Sequence, residues 1–361
     1  MINWKSFTVK KENMDLLAKI KGIKYHPLLC KELRIYDFMD LEKALDSSAS
    51  FIIKINKENQ IALSWWVSPK RTRSYPYARV YDTLSFSGKK ITVIPVLKDE
   101  GREGDRDFLQ WDTISLMSLL GVYVIIAYYS KARRSSRYND KITSQRFETH
   151  YIKNKVNDIL SFHSDALHWN LSQIENIGEV GLKAMAAYDK ISDNLNVELH
   201  SRKNAERRIM ELLEDKDNFM NSSRVLAQQA QKREQQTIQP KEFISGTKAT
   251  LTIQNYLGGH YYFTADEARV EGKDIFLIEA KNSRTNSLPS ISDIKDGLLK
   301  MILFTNLEYL MLQGIIYNPI AVLKLTVANQ FNENNLSFAK KRTLGILREE
   351  AEINNFKLEL L

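Results

Sequence analysis

Apolar and polar positions follow two different rhythms along this chain, and the change of rhythm divides it. Up to about residue 130, short apolar runs are bounded by turn residues. Residues 51–55 (FIIKI) and 61–67 (IALSWWV) flank a polar turn at 56–60, and 91–97 (ITVIPVL) and 122–129 are of the same kind, so all four read as strands. Residues 108–120 place Phe108, Leu109, Trp111, Ile114, Leu116, Met117, Leu119 and Leu120 at helical spacing. Shorter amphipathic helices are expected at 13–21 and 40–46. From 151 to 239 the pattern is helical: no Gly or Pro falls between Gly181 and Pro240, and Ile209, Leu212 and Leu213 mark one apolar face. Within this stretch 222–236 is polar nearly all round, which suits an exposed helix, a linker or an extended arm. Beyond Pro240, strands are expected at 250–253, 260–264 and 274–281. A Ser290-x-x-Asp293 capping signal opens a helix over 293–312, followed by a strand at 319–327 and a terminal helix at 343–354.

This order predicts an α/β protein in three regions: an N-terminal α/β region (1–150), a helical middle (151–239) and a C-terminal mixed sheet flanked by helices (240–361). The chain of 361 residues, 43% hydrophobic and 27% charged, is long enough for a substantial core. No run reaches 18 apolar residues and the N-terminus lacks an apolar leader, so neither membrane insertion nor secretion is expected and a cytoplasmic protein is. A single cysteine, Cys30, excludes an intrachain disulfide and a cysteine-rich zinc site. The net charge of +8 suits a polyanionic partner.

The candidate chemistry lies in residues 261–283. Here the apolar run Ile275-Phe276-Leu277-Ile278 ends in Glu279-Ala280-Lys281. Alternate residues of a strand share a face, which puts Glu279 and Lys281 on one side, roughly 6–7 Å apart. Asp266 and Glu267 stand on the preceding strand of a hairpin that turns at Glu271-Gly272-Lys273, so one of them returns beside Glu279. An acid two positions before a lysine occurs four times in the chain, but only this instance follows a four-residue apolar run with an acid about a dozen residues upstream. Two carboxylates offer hard oxygens to Mg2+, and a lysine beside them offsets charge on a phosphoryl group.

This pattern resembles the PD-(D/E)XK nuclease superfamily, which includes most type II restriction endonucleases. The resemblance implies a mixed sheet flanked by helices, Mg2+ as cofactor, double-stranded DNA as substrate and commonly a homodimer. It implies Asp266, Glu279 and Lys281 as catalytic residues, with Asp266 and Glu279 as metal ligands. Glu267 is the alternative first ligand, since neighbours on a strand face opposite ways. One departure is that Ala265, not Pro, precedes Asp266. A structure-selective repair or recombination nuclease, or a DNA-binding protein without catalysis, would show many of the same features.

DNA contacts are expected from two basic segments. In 64–79, Lys70, Arg71, Arg73 and Arg79 interleave with Trp65, Trp66, Tyr75 and Tyr77, although the aromatics could equally cover the core. In 130–141, Arg133, Arg134 and Arg137 accompany Lys131 and Lys141, as in a flexible loop that contacts phosphates or, equally, in a solvated linker. Lys295, with Lys300 after it, either reaches the phosphate backbone or forms the wet face of its helix. A second, degenerate nuclease-like core around Asp82 and Lys98 would lack its acid, because Val96 stands where one is required. His150, His163, Asp165 and His168 invite a metal reading, but a spacing of five between the last two histidines suits one helical face poorly.

Overall fold

The segment expected as a helix at 13–21 is instead a strand, Met14–Lys19 (β1), with Leu16 and Ala18 in the core and Asp15 and Leu17 turned out. Its apolar positions Met14, Leu16, Ala18 and Ile20 recur every two residues. So short a helix would be marginal without tertiary cover, whereas strands on both sides give β1 a ladder. The structure, a computed structural model, describes residues 14–69, 74–214, 247–256, 260–328 and 331–361.

The N-terminal region contains the expected strands and helices, together with a helix at 75–81 and short strands at 35–37, 97–99 and 106–108 that the pattern did not predict. It runs β2 (Ile35–Asp37), α1 (Leu41–Ser47), β3 (Ser50–Lys54), β4 (Gln60–Trp65), α2 (Tyr75–Tyr81), β5 (Lys90–Pro95), β6 (Leu97–Asp99), β7 (Arg106–Phe108), α3 (Trp111–Leu119) and β8 (Tyr123–Ala127). β2, β3, β4, β5 and β8 form a five-stranded sheet in that order, antiparallel only between β3 and β4, where Asn56 ties the turn by accepting from the amides of Glu58 and Asn59. Strands β9 (Tyr129–Arg134) and β10 (Ile142–Phe147) make a separate hairpin, anchored by stacking of Tyr129 on Phe147. The middle region supplies α4 (Thr149–Ser161), α5 (Ala166–Glu175), α6 (Ile177–Leu195) and α7 (Arg202–Glu214). Asn170 of α5 is fully buried and replaces ladder bonds for β8, accepting from Val124 N and donating to the Val122 carbonyl.

The C-terminal region comprises β11 (Thr247–Gln254), β12 (His260–Glu271), β13 (Asp274–Asn282), α8 (Ile291–Phe304), β14 (Leu310–Leu312), β15 (Ile315–Thr326), α9 (Phe338–Ile353) and β16 (Lys357–Leu360). Its mixed seven-stranded sheet has the order β13-β12-β11-β1-β14-β15-β16, and β13 also pairs with β15, so six of the strands close on themselves. β11, β12 and β13 are an antiparallel meander, turning at Gly272 with φ +61°. β13 and β15 are parallel, and the crossover this requires carries α8. Ser290 caps α8 by accepting from the Asp293 amide.

The three expected regions do not stand apart. β1, from the N-terminal region, is built into the C-terminal sheet, and one contiguous core runs from Ile53, Trp66 and Ile125 to Leu277, Leu298 and Leu347. Helix α2 lies against α8, where Ser74 donates to Asp293 at 2.6 Å and the Lys295 ammonium pairs with Asp82. Nearby, the fully buried Glu350 of α9 accepts from the Tyr25 and Tyr81 hydroxyls and from the amides of Leu28 and Leu29. Among the described residues no helix is long and apolar enough to cross a membrane.

Candidate active site

The β12–β13 ladder runs from Glu271↔Asp274 to Glu267↔Ile278 and goes no further. Beyond it the Ala280 amide donates to a carboxylate oxygen of Asp266 at 2.8 Å. The strand is disturbed on its other edge too. Ala249 pairs with Ala265 but Thr247 pairs with Ala268, so Asp266 and Glu267 together oppose the single residue Lys248. This is a β-bulge, a device that re-aims side chains where a ladder ends.

The register of the β12–β13 hairpin resolves which acid meets Glu279. Asp266 stands across from Glu279, on the face that carries Ile275 and Leu277. Glu267 lies buried on the opposite face, beside Ile278, with its carboxylate 3.4 Å from the Lys324 ammonium. The alternative expectation of Glu267 as a metal ligand with Glu279 is therefore corrected: the sheet separates the two side chains.

Glu279 is almost wholly buried, and both its oxygens are taken. Lys281 Nζ is 2.9 Å from Oε1 and Lys300 Nζ is 2.6 Å from Oε2. Lys281 also pairs with Asp296, and Lys300 also donates to the Thr264 carbonyl at 3.1 Å. The electrostatics pull the two acids apart. Burial and the neighbouring Glu279 charge push the Asp266 carboxyl up to about 7. Burial acts the same way on Glu279, but the ammonium groups of Lys281 and Lys300 outweigh it and hold that carboxyl at about 2. For Lys281, burial disfavours the charge, yet Glu279 and Asp296 overcome it and raise its pKa above the ordinary lysine value.

Helix α8 sets these distances. Its buried residues lie on every side, including Ile294, Leu298, Leu299, Ile302 and Leu303, so its charged side chains must be paired. Gly297 allows the close approach: a Cβ there would meet Leu323 Cδ1 at 2.7 Å and Lys281 Cε at 3.3 Å. Alanine would gain roughly 1 kcal/mol of helix propensity, but overpacking costs about 1–3 kcal/mol. Gly297→Ala is thus expected to lower stability by about 1 kcal/mol in urea titration, since both neighbours belong to packed groups.

The remaining expected site residues are placed differently. Lys295 is not a DNA-facing residue: it is 5% exposed, covered by α2, and paired with Asp82. Arg79 is likewise corrected. It donates to the Trp65 carbonyl at 2.8 Å, lies over the Trp65 and Tyr75 rings, and has its pKa lowered by burial. Lys70, Arg71 and Arg73 lie outside the described residues. Arg133, Arg134 and Arg137 are exposed on the β9–β10 hairpin. Asp82 and Lys98 do not form a second site, because Asp82 pairs with Lys295 and Lys31 while Lys98 pairs with Glu100. His168 bonds to Asp165, which caps α5.

Lys300 and Asp296 are the site residues that sequence reasoning missed or left on a wet face. The available signal was their i, i+4 spacing with Gly297 between them, in a helix whose buried residues lie on every side. Among the described residues no group of three or more His, Cys, Asp or Glu side chains could hold a metal ion. Asp266 and Glu279 are a two-carboxylate, all-oxygen donor set. That fits Mg2+, which keeps several waters and takes one or two protein carboxylates, and does not fit zinc.

No protein-family model matches this chain, and no curated protein or solved structure shows significant similarity to it.

Proposed function

We propose that this protein is a Mg2+-dependent endodeoxyribonuclease, specifically a type II restriction endonuclease that hydrolyses phosphodiester bonds of double-stranded DNA at a fixed sequence. The observation that carries the reading is the meeting of Asp266, Glu279 and Lys281 on one face of the β12–β13 hairpin. The order of meander, α8 and parallel strand β15 supports it, because the PD-(D/E)XK resemblance implies that order. A cytoplasmic homodimer acting on both strands belongs to the same proposal. Arg133, Arg134 and Arg137, exposed on one hairpin, are the described residues offered for phosphate contact.

Asp266 and Glu279 would hold Mg2+, which when bound lowers the pKa of water and polarises a phosphoryl oxygen. Lys281 has its pKa raised, so at neutral pH it is a hydrogen-bond donor and not a base. Its part is to orient the attacking water and to offset the charge that grows on the phosphate oxygens. Attack in line with the 3′ oxygen leaves a 5′ phosphate. Asp296 keeps the Lys281 ammonium at the site while the lysine does this.

The test is incubation with plasmid and phage DNA, with Mg2+ or with EDTA. Discrete, reproducible fragments that vanish with EDTA are expected. Cutting confined to branched or damaged DNA would favour a repair nuclease, and no hydrolysis of any substrate would end the enzymatic reading. The two neighbouring acids give a sharper internal comparison. Asp266→Asn is expected to lose more activity than the roughly 10–100-fold that outer ligand partners cost. Glu267→Gln, on the far face, should keep cutting within a few-fold and show its effect in thermal stability. Initial rates of plasmid nicking, measured on both variants, decide it.

A further inference from the structure

Glu279 is gripped at both ends, and its two grips are not equivalent. Lys281, on Oε1, has a second carboxylate partner in Asp296, and so can leave Glu279 without losing its counter-charge. Among the described residues, Lys300, on Oε2, has the neutral Thr264 carbonyl as its other direct partner, and the Asp266 carboxyl acts on it only at longer range. Releasing Oε1 leaves Lys281 in a direct ion pair with Asp296, which releasing Oε2 would not do for Lys300, so Oε1 is the cheaper release and Oε2 stays with Lys300. The Lys300 ammonium also spans the hairpin: Thr264 lies on β12, two residues before Asp266, and Glu279 lies on β13. One side chain from α8 thus ties the strand of the first acid to the carboxylate of the second.

We propose that Lys300 is a positioning residue of this site, which holds Oε2 of Glu279 and the Thr264 carbonyl so that Oε1 is the oxygen offered to a divalent cation. This rests on the reading of Asp266 and Glu279 as metal ligands. It assigns Lys281 and Lys300 different tasks, although both touch the same carboxylate. Lys281 lets go of Glu279 and keeps Asp296, whereas Lys300 keeps its place. A ligating carboxylate is ordinarily oriented by such a hydrogen bond on its other oxygen.

The proposal is separable from a simple charge effect, because the two have opposite signs. Lys300 regarded only as a positive charge repels a dication, and its removal would tighten cation binding. If Lys300 orients Glu279, its removal loosens binding instead.

The experiment is titration of the full chain with Mn2+, without DNA, read by electron paramagnetic resonance of the free ion. Lys300→Met is expected to weaken Mn2+ binding about ten-fold, Lys300→Arg to restore most of it, and Glu279→Ala to abolish it. Circular dichroism checks that each variant is folded, and if Lys300→Met is not, Lys300→Gln takes its place with the same expected direction. Unchanged or tighter binding by the Met or Gln variant, with Glu279→Ala still silent, would overturn the role of Lys300 and leave the metal site standing. Equal binding by wild type and Glu279→Ala, or none by wild type, would remove the metal-site reading and this proposal with it.

Discussion

Glu279→Ala is expected to cut DNA at least about a thousand-fold more slowly than wild type while still binding it, the upper end of what losing one preorganised electrostatic group costs. Glu279 does three things that alanine cannot. It supplies one of the two carboxylates, it anchors Lys281 through Oε1, and it anchors Lys300 through Oε2. Lys281→Ala should fall to a similar degree, because its ammonium is the donor beside both acids. DNA binding should persist or tighten, since Glu279→Ala removes a negative charge from the proposed phosphate site. Gel-shift titration beside initial cleavage rates separates binding from chemistry. Cleavage by Glu279→Ala at a wild-type rate, with Mg2+ present, would end the assignment of this hairpin as the catalytic centre.

The largest expected effect on stability lies away from the site, at Glu350. Its buried carboxylate accepts from Tyr25 and Tyr81 and from the amides of Leu28 and Leu29, joining α9 to the 25–29 segment and to α2. Burial raises the Glu350 pKa, and the Tyr81 and Tyr25 hydroxyls offset part of that rise. Alanine would leave the two tyrosine hydroxyls and the Leu28 amide without this acceptor, while the Leu29 amide keeps the Tyr81 oxygen, and each unsatisfied buried group costs about 1–3 kcal/mol. Allowing for relaxation and entry of water, Glu350→Ala is expected to lose about 3–5 kcal/mol, comparable with breaking a buried ion pair. That is a large share of the roughly 5–15 kcal/mol that holds a folded domain. Glu350→Gln keeps the shape but brings an NH2 group toward donors, so it should lose less than alanine and more than nothing. Urea denaturation of the three proteins measures this, and a loss under about 1 kcal/mol for alanine would mean that the network contributes little.

Much of the fold was legible because local pattern and tertiary structure agree. β3 and β4, the β12–β13 hairpin, β13 itself and the capped start of α8 fall where periodicity and turn residues place them. The miss at β1 has a plain cause: six residues with apolar side chains at Met14, Leu16 and Ala18 fit either rhythm, and the ladder partners that decide it are more than 200 residues away. The aromatics of 64–79 show the opposite case. Trp66 and Tyr77 pack edge to face in the core, and Arg79 covers Trp65, so a segment basic and aromatic enough to suggest nucleic acid is partly interior.

By itself the sequence determined that Glu279 and Lys281 share a face and that an acid from the previous strand returns beside them, because strand alternation and hairpin geometry are local. It could not determine which acid. That depended on the exact residues at which the hairpin turns: Glu271 pairs with Asp274 across Gly272-Lys273, and the register set there puts Asp266, not Glu267, across from Glu279. Nor could it distinguish Lys295 from Lys300. The two sit five residues apart on one helix, yet α2 covers one and ties it to Asp82, while the other reaches Glu279. Which charges are paired is decided by the neighbours that packing brings to each side of a helix, and those neighbours come from distant parts of the chain.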